Sequence, residues 1–254
     1  MRVKVARHAT NSVHYIVYNM AVRRKLNSHI IFLEVLKMKK NLTEIVFILD
    51  RSGSMSGMEA DTVGGFNSTV ERQKGEQGEA YVSTVLFNNR SEVIYDRVPI
   101  RDIKPMAISD YIVGGSTALL DAIGGAIHHI GNVHKYARNE DVPERTLFII
   151  TTDGMENASR EYTSGAVKTM IERQREKYGW EFIFMAANID AVETAERIGI
   201  RRERAVNYYQ DKRGTEVSFE AMDEAILSVR KGCSLDNECW RLAVDKDYKR
   251  RSKK

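Results

Sequence analysis

The sequence predicts an α/β domain: a doubly wound, mostly parallel sheet with helices on both faces. Three observations lead there. Short continuous apolar runs, such as residues 45–49 (Ile-Val-Phe-Ile-Leu) and 147–150 (Leu-Phe-Ile-Ile), behave as strands buried on both faces. Amphipathic segments of helical period alternate with these runs, as crossover helices do. The 254 residues are 43% hydrophobic and include only three prolines and two cysteines. That suffices for one sizeable core, and it excludes both wholesale disorder and a disulfide-stapled scaffold. No stretch reaches the ~18 uninterrupted apolar residues of a membrane helix.

The elements follow in order. Residues 45–49 form the first strand, ending at Asp50. Val63, Phe66 and Val70 mark a helix closed by Lys74-Gly75. Strands at 80–87 and 92–98, joined by Asn88-Asn89-Arg90-Ser91, read as an antiparallel hairpin. After Gly114-Gly115-Ser116-Thr117, a long helix carries Leu120, Ile123, Ile127 and Ile130 on one stripe. A strand at 145–151 leads to Asp153-Gly154. Val167, Met170, Ile171 and Tyr178 define another helix, stopped at Gly179. A strand at 182–187, a short helix at 191–198, a weak strand at 205–208 and a last helix through Phe219, Met222, Ile226 and Val229 complete the pattern. One domain is expected over residues 41–232. It is preceded by a helical or poorly structured extension (1–40) and followed by a polar basic tail (233–254). The apolar stretch 13–22 is interrupted by His14 and Asn19 and lacks the cleavage site of a signal peptide, and the native start is expected at Met38, where Met38-Lys39-Lys40-Asn41 makes a polar beginning just before the first strand.

Charge narrows the function. The formal net charge is +4, but residues 1–37 contribute +6 and the last ten contribute +4, leaving −6 on the 207 between. A body that acidic is poorly suited to nucleic acid, which needs clustered Lys and Arg against phosphates. The basic tail reads as a solvated end.

Ligands in open α/β sheets gather at the carboxyl ends of strands. The first strand ends in Asp50-Arg51-Ser52-Gly53-Ser54-Met55, so a tight turn can aim the oxygens of Asp50, Ser52 and Ser54 at one point. The fourth ends in Thr151-Thr152-Asp153-Gly154, and Thr117 opens a helix between them. Two carboxylates and three hydroxyls make a hard, all-oxygen donor set suited to magnesium, or manganese, in preference to zinc or copper.

On these residues the sequence resembles the von Willebrand factor A domain family across residues 43–231. Asp50, Ser52 and Ser54 match its Asp-x-Ser-x-Ser motif, Thr117 its loop threonine and Asp153 its later aspartate; together they form its metal-ion-dependent adhesion site. The stretches Leu-Asp-Arg-Ser-Gly-Ser-Met from Leu49, Thr-Ala-Leu-x-Asp-Ala from Thr117 and Thr-Asp-Gly-x-Glu-Asn from Thr152 are most similar to stand-alone bacterial cytoplasmic members. The resemblance implies a six-stranded sheet of order 3-2-1-4-5-6 with only the third strand antiparallel. It implies direct or near-direct ligation by Ser52, Ser54 and Thr117, and ligation largely through water by Asp50 and Asp153. It further implies a protein partner presenting Asp or Glu to the ion, across a rim of Arg51, Met55, Ser116, Met155 and Glu156.

A binding module without catalytic residues is therefore expected, with no membrane or nucleic-acid partner. A magnesium- or manganese-dependent hydrolase or phosphotransferase using the same pocket stays open, as does a scaffold whose ion pins loops. Other chemistries fit less well. An EF-hand needs glycine where Met55 stands. A haloacid dehalogenase-like nucleophile needs a second aspartate where Ser52 stands. A Gly-x-Ser-x-Gly elbow would place Met55 at the nucleophile position, and there is no Walker loop. His128, His129 and His134 lack the i, i+4 spacing of a helical metal pair, and Cys233 and Cys239 read as free thiols. Gly64-Gly65 and Gly124-Gly125 are expected where helices approach the sheet closely, or at a hinge.

Overall fold

The computed structural model describes residues 39–253; the extension and Met38 therefore lie outside the described residues. The elements are β1 (Lys39–Asp50), α1 (Glu59–Lys74), β2 (Glu79–Phe87), β3 (Ser91–Pro99), α2 (Leu119–Tyr136) and β4 (Pro143–Thr152). Then come α3 (Ser164–Tyr178), β5 (Glu181–Ala186), α4 (Ala191–Arg197), β6 (Ala205–Asn207), α5 (Lys212–Arg230) and α6 (Leu242–Arg251). The six strands form one sheet of order β3-β2-β1-β4-β5-β6. Only β3 runs antiparallel, hydrogen-bonded to β2; the other pairs are parallel.

Side-chain alternation along β1 builds the two layers. Ile45, Phe47 and Leu49 join a core with Val63, Phe66 and Val70 of α1 and Phe219, Met222 and Ile226 of α5. Val46 and Ile48 face the other way, against Ile123, Ile127 and Ile130 of α2, Val167 and Ile171 of α3 and Ala195 of α4. Because both faces of β1 are covered, its apolar run is continuous and not alternating.

Strand order reverses beside β1. The chain moves outward through β2 and β3, then α2 carries it back across to β4 on the other side. The register pairs Leu49 with Thr151, so Asp50 and Thr152 emerge together at the carboxyl ends of two adjacent parallel strands. That is the switch point at which such sheets place ligands.

Two expectations need correction. The segment after residue 232 is no solvated tail. Leu235, Trp240 and Val244 are buried in the larger core, and α6 ends with Asp247 paired to Arg250 and Arg251. Sparse apolar anchors on a highly charged helix suffice to dock it. The helix glycines also differ from the expectation of helix-on-sheet contact. A Cβ on Gly65 would meet the Phe219 ring of α5 at 2.2 Å, and one on Gly124 the Tyr162 ring at 2.4 Å. Both are contacts between helices or with a loop. Gly64 and Gly125 have open space around them.

Candidate metal centre

Asp50 is the last residue of β1 and is 1% exposed. Its Oδ1 accepts from the Ser52 amide at 2.7 Å, which folds the chain back at once. Its Oδ2 accepts from the Thr152 hydroxyl at 2.6 Å, which ties the ends of β1 and β4 together. From there hydroxyls lead outward: Ser52 Oγ lies 3.1 Å from Ser54 Oγ, and Ser54 Oγ donates to Asp153 Oδ1 at 2.7 Å. Ser52 and Asp153 are buried, while Ser54 is exposed at the mouth.

The Gly-Gly loop brings Thr117 to the same place. The Gly53 amide donates to the Gly115 carbonyl at 3.0 Å, and Gly114 to Arg51 at 3.0 Å. Gly115 has φ +80°, and a side chain there would collide with Asn89 Oδ1 at 2.4 Å; both facts require glycine. Asn157 clamps Thr117 from both sides, its side chain accepting from the Thr117 amide and its own amide donating to the Thr117 carbonyl. A Cβ built on Gly154 would sit 3.4 Å from Ser54 Oγ and 3.5 Å from Thr117 Oγ1. The two hydroxyls therefore flank one small space that glycine leaves open.

Asp50, Ser52, Ser54, Thr117 and Asp153 thus converge at the switch point. The rim is different. Met55 is buried in the core. Arg51 turns aside to Glu92, Nη2 to Oε2 at 2.7 Å. Glu156 is fully engaged: Oε1 accepts from the amides of Ala158 and Ser159, and Oε2 from the Leu120 amide and the Ser159 hydroxyl. It caps the positive end of α2 and holds the loop that carries Asn157. Ser116 and Met155 remain exposed beside the opening.

Gln210, on the loop after β6, joins the site although its sequence surroundings do not mark it. Its Nε2 donates to Asp153 Oδ2 at 2.5 Å and to the Ser54 carbonyl at 2.6 Å. Asn188, after β5, donates in turn to Gln210 Oε1. The only available signal is position, since both residues follow parallel strands at the carboxyl edge.

The electrostatics follow from burial. Among the described residues, every hydrogen-bond donor to the two carboxylates is a neutral group. Desolvation raises the pKa of Asp50, against the opposing pull of the Thr152 bond. Desolvation also raises that of Asp153, and the nearby Asp50 charge adds to it. Tyr111, whose hydroxyl donates to the Asp50 carbonyl, and Tyr208 wall the site from beneath. Burial pushes both phenols upward. Two desolvated carboxylates without a counter-charge form an environment that a cation would relieve.

The residues fit a hard divalent ion. Hydroxyl and carboxylate oxygens from three loops surround a space kept clear by Gly154, which is the donor chemistry of magnesium or manganese. Among the described residues, no group of three or more His, Cys, Asp or Glu could hold a metal; this site would hold one with two carboxylates supplemented by hydroxyls. A cleft of 520 Å³ between α2 and α3 contains none of these residues.

Strand order, the lone antiparallel edge and the placement of the helices decide the architecture. The fold is that of a von Willebrand factor A domain. A von Willebrand factor type A structure from Catenulispora acidiphila is similar at a TM-score of 0.51 and 14% identity, covering 75% of this chain and 43% of that one. Proximal thread matrix protein 1 from the mussel byssus is similar at a TM-score of 0.52 and 17% identity, covering 73% and 46%. Another structure of that protein has zinc in its MIDAS motif, with a TM-score of 0.51, 17% identity and the same coverage. This chain matches a little under half the length of these structures. No protein-family model and no curated protein matches the sequence. Among the described residues, no helix is long and apolar enough to cross a membrane.

Proposed function

We propose that this von Willebrand factor A-type domain is a metal-dependent protein-binding module, and that it captures an Asp or Glu side chain of a partner protein. The observation that carries this reading is the cluster at the switch point, where Asp50, Ser52, Ser54, Thr117 and Asp153 converge around the space left by Gly154. Those five residues would hold magnesium or manganese, and the bound ion would supply an electrophilic position for an incoming carboxylate.

The chain's own residues make the rest of the site. Neutral Ser52, Ser54 and Thr117 as the direct ligands, with Asp50 and Asp153 acting largely through water, would leave little negative charge in contact with the ion, which favours an anionic group from outside. Ser54 and the exposed Ser116 and Met155 stand at the opening where that group enters. Asp50 is buried, and each of its oxygens accepts a hydrogen bond, from Ser52 and from Thr152, which fixes the carboxylate as an orienting group and not as an exposed nucleophile. This supports binding over phosphoryl transfer. The zinc-occupied MIDAS motif of the mussel protein supports the same reading by analogy of fold.

The test is an NMR titration with a short Gly/Ser peptide carrying one Asp, in the presence of magnesium or of chelator. Shifts at Ser52, Ser54 and Thr117 should require magnesium and vanish in Ser52→Ala. Shifts that persist under chelation, or magnesium-dependent turnover of a phosphate ester lost in Asp50→Asn, would overturn the proposal.

A further inference from the structure

The metal centre has a basic neighbour. Gln210 touches Asp153, and the next residue, Asp211, is held by Arg251 at the end of α6, Nη1 to Oδ1 at 3.2 Å. The Arg251 guanidinium also lies 4.2 Å over the Tyr209 ring, which in turn packs 4.9 Å from Tyr248. These contacts fix the end of α6 against the start of α5, beside the metal site. Lys212, Arg213, Arg250 and Arg251 line a cleft of 420 Å³ there, with Asp211 as its one acid. Asp211 is spent on Arg251, and Asp247 on Arg250 and Arg251. Arg213 also pairs with Glu216, Nη1 to Oε2 at 3.4 Å. Four bases against three carboxylates still leave the patch positive, and Lys212, Arg213 and Arg250 project into solvent.

From this juxtaposition we propose that the domain binds an acidic segment of a partner protein at two points, with one carboxylate at the metal centre and further carboxylates on the Lys212–Arg213–Arg250 patch. The proposal rests on the metal-centre reading and names the partner's chemistry. Consecutive Cα atoms are about 3.8 Å apart, so the path through Gln210 and Asp211 keeps the Asp153 carboxylate within roughly 15 Å of the Arg251 guanidinium. An extended chain covers that span in about four or five residues. A peptide segment is favoured over nucleic acid because the folded domain, residues 39–253, still sums to −3. A long polyanion would run from the patch onto repelling surface, whereas a short acidic segment need only bridge the patch and the ion.

The experiment uses the full chain and two fluorescent Gly/Ser peptides. One carries a single Asp; the other adds two more, four and five residues further on. Anisotropy is read at low salt with magnesium, since exposed charge contacts weaken with ionic strength. Each exposed pair is worth about twofold, so with two added carboxylates the three-acid peptide should bind wild type about fourfold tighter. In the variant Lys212→Gln/Arg213→Gln/Arg250→Gln that advantage should fall to about one- to twofold, with calorimetric magnesium binding and the melting temperature unchanged. The Asp211–Arg251 contact is left intact to preserve the docking of α6. Equal affinity for both peptides on wild type, or an advantage that survives in the variant, would overturn the proposal. So would tighter, magnesium-independent binding of a thymidine oligomer of equal charge. If magnesium binds but the peptides are not distinguished, only this inference fails; if magnesium does not bind, the metal-centre reading fails and takes this one with it.

Discussion

Thr152→Val separates a site held by a charge-assisted hydrogen bond from one merely filled to shape. Valine reproduces the volume of threonine and removes only the hydroxyl. Thr152 is fully buried, and its Oγ1 lies 2.6 Å from Asp50 Oδ2 and 3.2 Å from the Gly154 carbonyl. A hydroxyl has one proton, and the shorter bond to the carboxylate takes it. Asp50 would then lose the hydroxyl donor from β4 while keeping the Ser52 amide. Hydrogen bonds to charged groups contribute about 1.5–3 kcal/mol. At about 2–4 °C per kcal/mol for a chain of this size, the melting temperature should drop by about 3–12 °C at neutral pH. The loss should shrink in acid, because a protonated Asp50 has no charge left for the donor to stabilise. Thermal or urea denaturation across pH checks both parts. A valine variant as stable as wild type at neutral pH would show that Thr152 only fills space.

Three further outcomes follow from the same structure. Gly65→Ala should destabilise by about 1–3 kcal/mol through collision with Phe219, whereas Gly64→Ala, with open space, should stabilise by up to ~1 kcal/mol; urea midpoints with the same sign for both would contradict the packing. Arg230, buried, donates to the carbonyls of Gln73 in the last turn of α1 and of Glu76, Gln77 and Gly78 beyond it, so Arg230→Met should cost about 2–3 kcal/mol, read by chemical denaturation. The raised pKa values of Asp50 and Asp153 set a pH signature. Without metal, the native state holds protons that the unfolded chain has already released, so these groups' contribution is full below the ordinary carboxylate range and is lost as pH rises through the raised values. With magnesium the deprotonated pair is favoured, and stability should instead rise with pH over that window. Parallel stability curves in magnesium and in chelator would refute it.

The sheet and the metal-centre residues were legible because both are local signals. A strand covered on both faces must be apolar throughout, so residues 45–49 announce themselves. Asp50, Ser52 and Ser54 lie within five residues, at a strand end where geometry concentrates ligands. Direction was not legible. Arg51, Met55 and Glu156 adjoin the motif residues, yet Arg51 reaches for Glu92, Met55 turns into the core and Glu156 caps a helix. Sequence adjacency places a backbone and does not aim a side chain. Gln210 depends on where β6 ends in space, which no local pattern reports. The docking of α6 rests on Trp240 and Val244 within a charged run, too few apolar positions to form a visible stripe.

On the proposed reading, Asp50, Ser52, Ser54, Thr117 and Asp153 hold one divalent ion. Calorimetric titration of magnesium, and then manganese, into metal-free protein tests it most directly, with Ser52→Ala and Asp153→Ala alongside. Saturable binding of one ion by wild type is expected, lost or severely weakened in both variants, while their folds persist by circular dichroism. Binding that is undiminished in both variants would contradict it.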